Sequence, residues 1–153
     1  MPDSTLKGGS ASGVLPKGEI VKYMIMLYGS QEFYDMMAGK PSAAPTMSPE
    51  DLASMHDYME SLHRDLAESG ELVDAQGLTA PAHARRVTLS AGAPVVTDGP
   101  YAETTEVLAG YTIVDCESFD RATEIAARFI NPESEGEYVD VRPVIEGVEE
   151  LHG

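Results

Sequence analysis

VKYMIMLY, residues 21–28, is the stretch that decides the fold. Lys22 alone interrupts its apolar character, and Gly29 ends it, so the run predicts a short β-strand. Alternate side chains of a strand face opposite ways. Tyr23, Ile25 and Leu27 therefore share one face, and Met24, Met26 and Tyr28 share the other. A strand that is apolar on both faces has to be covered on both. Helices of the same chain can cover one side. The second side needs a cover of its own.

Working outward, residues 30–47 read as a polar loop with a short helical turn between Glu32 and Met37. A strong helix start follows. Ser48 is an N-cap, Pro49 stands at the first helical position, and Glu50 and Asp51 complement the dipole of the first turn. Leu52, Met55, Met59, Leu62 and Leu66 repeat at three- and four-residue spacing and form one apolar stripe, which Gly70 closes. Residues 71–79 predict a strand interrupted by Gly77. Residues 85–89 and 94–97 predict two strands joined by a turn at Ala91-Gly92-Ala93. Residues 110–114 predict another strand. Ser118 caps a further helix with the stripe Phe119, Ala122, Ala126 and Phe129, stopped by Asn131-Pro132. The last strand spans residues 138–145. The order is an α+β, ferredoxin-like βαββαβ pattern with an inserted hairpin. Two helices cover one face of such a sheet. The face carrying Met24, Met26 and Tyr28 is expected to meet a second copy, giving a homodimer with a cleft near the rims of the facing sheets.

Composition narrows the functional classes. The 153 residues suit one domain. Residues 1–20, rich in Gly and Ser, are expected to form a flexible arm, residues 21–146 the domain, and residues 147–153 a short acidic tail. With 26 acidic against 10 basic residues the formal charge is −16, which would repel nucleic acid and anionic membrane surfaces alike. No apolar run approaches the ~20 residues that span a bilayer, and no secretory signal is visible at the N-terminus, so a cytoplasmic location is expected. The single cysteine, Cys116, is expected to be buried structure; it excludes an intrachain disulfide framework and a cysteine-cluster metal site. No phosphate-binding glycine loop, dinucleotide-binding glycine set, nucleophile elbow or zinc spacing occurs, so no cofactor and no metal are expected.

The stretch VVTDGPYAETTE, residues 95–106, carries the main candidate. Asp98 stands before Gly99 and Pro100. One reading makes its carboxylate a turn acceptor for the backbone N–H groups of Tyr101, Ala102 or Glu103. The other makes Gly99, Pro100 and Tyr101 a scaffold that holds Asp98 at the cleft as a general acid or base. The two are compatible. Glu103 is a second acid, either solvated in the turn or paired with Asp98 as an acid/base couple. On the last strand Asp140, Arg142 and Val144 share a face. There Arg142 reads as a structural salt bridge, as a contact for an anionic ligand, or as a partner of Asp98. Tyr28 and Tyr111 are strand aromatics, in the core or lining the cleft. His83 lies in the loop entering a strand and is a further lining candidate. His56 and His63 lie two helical turns apart, about 10.5 Å, too far to share one metal ion, and are expected on the helix flank.

The strand KYMIMLY, the VTDGPYAETTE run, Gly110-Tyr111 and the later Val141-Arg142-Pro143-Val144 together resemble the YciI-related proteins of the DGPF-domain type. The resemblance covers about residues 22–144. The DGP-aromatic-Ala-Glu run is its most specific part, with Tyr101 in place of the usual Phe and Thr105 in place of the usual Lys. It implies a dimeric α/β barrel of ferredoxin-like subunits, with a fold similar to small isomerases of the muconolactone type. It implies no established activity, and it also implies a gene neighbourhood shared with extracytoplasmic-function sigma factors. The position of the helix histidine in YciI-type members falls on Met59 here. Two functions are therefore open: a cofactor-independent isomerase- or lyase-like protein acting on a small neutral or anionic metabolite through Asp98, or a non-catalytic sensor or accessory protein partnered with a sigma factor.

Overall fold

The structure is a computed structural model, which describes residues 21–39, 48–100, 106–131 and 136–146. The elements are β1 (Val21–Gly29), α1 (Gln31–Met37), α2 (Pro49–Ser69), β2 (Leu72–Gly77), a 3₁₀ turn (Pro81–His83), β3 (Arg85–Ser90), β4 (Ala93–Asp98), β5 (Val107–Cys116), α3 (Phe119–Ala127) and β6 (Asp140–Pro143). β1, β2, β5 and β6 form one antiparallel sheet in the order β2-β5-β1-β6, and β3 and β4 form a separate two-stranded sheet. This mixed α+β architecture is compatible with a ferredoxin-like arrangement. The arm at residues 1–20 and the tail at 147–153 lie outside the described residues.

The helices start where the caps dictate. Ser30 accepts from the Phe33 N–H, Ser48 from the Asp51 N–H and Ser118 from the Arg121 N–H, each satisfying a donor that the first helical turn leaves unpaired. The core lies between the helices and one face of the sheet. It contains Tyr23 and Ile25 of β1, Val114 of β5, Leu62 and Leu66 of α2, and Ala122, Ile125 and Ala126 of α3. The two faces of β1 thus divide as its sequence requires. Tyr23 and Ile25 are buried under helices, while Met24, Met26 and Tyr28 stay half-buried on the helix-free face.

Several boundaries differ from the sequence expectation, each for a physical reason. α3 stops at Ala127, ahead of Asn131-Pro132. Arg128, Phe129 and Ile130 donate back three residues, to Ile125, Ala126 and Ala127, and these tighter turns carry Phe129 into the core. β6 is only four residues long, not eight. Pro143 has no N–H to continue the ladder, and one further bond, from the Val144 N–H to the Lys22 carbonyl at 2.8 Å, ends the pairing. β5 is longer than expected because β1 and β2 pair with it on both sides. The stripe of α2 is only partly used: Leu62 and Leu66 are buried, whereas Met55 is exposed. A helix of 21 residues is about 31 Å long and overruns the sheet, so only its C-terminal half reaches the core.

Two polar details complete the packing. Thr112 is buried within β5 and lies 3.2 Å from His63 Nε2, while His63 Nδ1 lies 2.9 Å from the Met59 carbonyl. The tautomer with the proton on Nδ1 satisfies both, with Nδ1–H donating to the carbonyl and Nε2 accepting from the hydroxyl. His63 is therefore a half-buried strut on the flank of α2, bonded to the sheet. Glu71 receives a two-pronged contact from Arg121, with Nε to Oε2 at 2.8 Å and Nη2 to Oε1 at 2.9 Å. That pairing holds the Glu71 carboxyl below the usual carboxylate range and ties β2 to α3.

Candidate functional site

The helix-free face has a polar end. Beside β1, the chain from Tyr138 to Arg142 places Asp140 opposite Met26 and Arg142 opposite Met24. One step further along β1 Tyr28 comes level with Tyr138, and their ring centroids lie 5.6 Å apart. Alternation puts Tyr138, Asp140 and Arg142 on one side of this segment. The Tyr28 hydroxyl donates to Asp140 Oδ2 at 2.8 Å, and the Tyr138 hydroxyl donates to Glu106 Oε1 at 2.8 Å. The hydrogen bond to Asp140 holds the Tyr28 phenol above its ordinary pKa, with a smaller opposing pull from Arg142. Glu106 does the same for Tyr138. Both phenols thus keep their protons at neutral pH and act as donors. On the other side of β1 the Tyr111 hydroxyl donates to Asp74 Oδ2 at 3.2 Å.

A β-bulge lies at this end. The register passes from Leu27 opposite Gly110 to Tyr28 opposite Leu108, which leaves Ala109 as the extra residue. Its carbonyl accepts from the Leu78 N–H at 2.8 Å and from the Tyr34 hydroxyl at 3.4 Å. Bulges re-aim neighbouring side chains and recur beside sites.

Asp98 occupies the base of the β3–β4 hairpin. Arg85 faces it in the register, with Arg85 Nε 3.6 Å from Asp98 Oδ1. The Asp98 side chain is 81% exposed. Below this pair the Gly99 N–H donates to the Ala84 carbonyl at 2.9 Å, and the Gly99–Pro100 peptide is cis. The ion partner the structure gives Asp98 is thus Arg85, while Arg142 sits with Tyr28 and Asp140. Of the expected site residues, Tyr28 and Arg142 come together on one face. Tyr111 is on the same face and engages Asp74. His83 is exposed at the end of the 3₁₀ turn, a turn held to α1 by the Ala82 N–H donating to Gln31 Oε1 at 2.8 Å. Glu103 and Tyr101 lie outside the described residues, as does the donor set at residues 101–103 expected for Asp98.

Tyr138 and Glu106 were not among the residues singled out from sequence, and Asp140 was noticed only as a neighbour of Arg142. A signal existed for two of them. Once residues 138–142 are set beside β1, the alternation Tyr138, Asp140, Arg142 follows. Glu106 ends the very stretch that Asp98 opens. Segment 98–106 therefore leaves the hairpin at one carboxylate and rejoins the sheet at another, beside the tyrosine pair. Among the described residues no three His, Cys, Asp or Glu side chains are grouped so as to hold a metal ion, and no helix is long and apolar enough to cross a membrane.

Comparison with known proteins adds a family. A family model described as the YCII-related domain matches residues 21–146. An uncharacterised protein of Rhizobium meliloti (strain 1021) is 38% identical over 96 residues, 62% of this chain and 76% of the relative.

Proposed function

The chain belongs to the YCII-related family, and we propose that it works as a homodimer whose facing sheets enclose a small polar or anionic metabolite at the Tyr28 end. In this reading the protein is a cofactor-independent, isomerase- or lyase-like catalyst. Asp98 takes or gives the proton, Arg142 contacts the anionic group, and the Tyr28 phenol turns its one proton from Asp140 to a ligand oxygen on which charge develops. The observation that carries the reading is the network at that end of the helix-free face. Two proton-holding phenols, Tyr28 and Tyr138, are fixed by carboxylates at 2.8 Å each beside Arg142, where the segment that begins at Asp98 returns to the sheet. Such an arrangement offers a cation for an anionic group and carboxylate acceptors for ligand hydroxyls together, which suits a small hydroxy acid. A second copy across the sheet would exclude water and strengthen those contacts.

The test is a thermal-shift screen of dicarboxylates, aromatic carboxylates and sugar phosphates, followed by turnover measurements on any compound that binds. Arg142→Ala and Tyr28→Phe are expected to keep the fold and weaken binding by about tenfold or more, the loss of one hydrogen bond to a charged group. Asp98→Asn is expected to retain binding and lose turnover. A compound that binds all three variants as tightly as the wild type does not use this site. An Asp98→Asn protein that keeps full turnover removes Asp98 from the chemistry and favours the accessory, non-catalytic function.

A further inference from the structure

The β3–β4 hairpin is an outlier in the fold. All twelve of its strand residues are exposed, and among the described elements its strands pack chiefly against each other. Its register pairs Val87 with Val96, Leu89 with Pro94 and Arg85 with Asp98. Those six side chains share one face, so the hairpin carries an apolar stripe with an ion pair at its base. Val87 is 62% exposed and Leu89 72% exposed. A lone two-stranded hairpin is marginal in water, and a stripe of this kind on an exposed arm indicates a partner surface.

Charge says which surface. Residues 75–97 contain no acid, yet they hold His83, Arg85 and Arg86, in a chain with 26 acidic residues. With Asp98 at its base counted, the hairpin carries two arginines against one acid, a small positive excess in a strongly acidic chain. The helix-free face of the four-stranded sheet has the complementary character. Met24, Met26 and Ile113 form its half-buried apolar middle, and around it the four acids Asp74, Asp115, Asp140 and Glu106 outnumber the two bases Lys22 and Arg142. The footprint of that face is about 500 Å², and that of the hairpin about 200 Å². A stable interface needs ~800 Å² per partner. Neither surface reaches that alone, and the two together approach it.

We propose that the hairpin is an exchanged arm: its Val87, Leu89, Pro94 and Val96 stripe packs on the helix-free sheet face of a second copy of this chain, and the second copy returns the contact. The inference rests on the dimer proposed above and adds to it the contact that makes the dimer two-fold and mutual. It also brings the base of the hairpin, with Asp98, to the subunit boundary, so that the candidate site is complete only in the dimer.

The experiment uses the full chain. Light scattering after size exclusion, over a concentration series, compares the wild type with Val87→Glu/Leu89→Glu on the arm and with Met26→Glu on the face, with circular dichroism to check the fold. Two-fold symmetry counts every substitution twice, so the arm variant is expected to weaken dimerisation on the order of 1,000-fold, with the helical signal unchanged. In parallel, a photo-crosslinking benzoylphenylalanine at position 89 is expected to label β1 or β5 of another chain, which needs no folded variant of the sheet. Dimer loss in Met26→Glu but not in the arm variant overturns the arm and leaves the facing-sheet dimer standing. Dimer loss in the arm variant alone overturns the assigned face. A cross-link within the same chain, to residues 1–20 for example, replaces the second copy as the occupant. A wild type that is monomeric throughout overturns both the arm and the dimer.

Discussion

Gly110→Ala is a demanding test of the sheet, because two glycines meet across β2 and β5 and only one of them has a steric reason to be there. Gly110 lies opposite Gly77. A methyl added at Gly110 would sit 2.9 Å from the Gln76 carbonyl oxygen and 3.4 Å from Gly77 Cα. The first contact is about 0.5 Å short of ordinary van der Waals distance, and backbone cannot rotate away as a side chain can. β2 is an edge strand, so it must retreat or give up ladder geometry. Overpacking of this kind costs about 1–3 kcal/mol. The stiffer unfolded chain of an alanine variant returns roughly 0.5–1 kcal/mol. The net expectation is a loss of about 1–2 kcal/mol, or a melting temperature lower by about 3–6 °C in a domain of this size. Gly77→Ala is the internal control. Its added methyl meets nothing within 4 Å, so that variant should be neutral or slightly stabilised. Urea unfolding at pH 7, with unchanged dependence on denaturant, measures both. Equal stabilities for the two variants, or a stabilised Gly110→Ala, would refute the close β2–β5 approach described here.

Two further outcomes follow from titrating groups. Glu71 has its pKa lowered by Arg121, so the pair contributes stability above the ordinary glutamate pKa near 4.3, and that contribution is lost as pH falls through the depressed folded value. Glu71→Gln should therefore be less stable than the wild type by about 1 kcal/mol at pH 7, after allowance for the partly exposed arginine, and the gap should narrow as pH falls below the ordinary glutamate pKa. A gap that stays constant in denaturant titrations as the pH is lowered until the protein unfolds contradicts the pairing. Cys116 is buried, and burial pushes its thiol up to about 11. Its reaction with a thiol-specific disulfide reagent at pH 8 should be slow in the native protein and fast in denaturant, since the thiolate is the reactive form. Rapid labelling of native protein would place Cys116 at the surface.

What the sequence revealed, and what it hid, follows from the range of the forces involved. Caps are local: Ser48, Pro49, Ser118 and Gly70 announce helix ends through bonds made within a turn or two, and the structure has them in those roles. The division of β1 into a helix-covered face and a helix-free face was also legible, because alternation in an apolar run is a local pattern. The role of His63 was not. Nothing near it in sequence shows that Thr112, 49 residues away, would meet its ring. The ends of α3 and β6 were missed for a related reason. Phe129 is drawn into the core by packing, and β6 ends where Pro143 lacks a donor. At the site, Tyr28 and Arg142 were found because strand aromatics and strand arginines stand out. Their companions Tyr138, Asp140 and Glu106 become visible only when the antiparallel register of β6 against β1 is known. Asp98 was legible as a position, at the end of a strand and before Gly99-Pro100, but its pairing with Arg85 depends on the two-residue turn that joins β3 to β4. In that turn Ala91 and Gly92 both adopt positive φ, 52° and 82°, the geometry of a tight hairpin.

The most direct test of the functional proposal is a crystal structure of the full chain read at the Asp98 carboxylate. The expected result is two copies with their helix-free faces together, the hairpin of each on the sheet of the other, and Asp98 opening on an enclosed cavity that Tyr28 and Arg142 also line. A single copy, or a dimer built on another surface with Asp98 in open solvent beside Arg85, would contradict it.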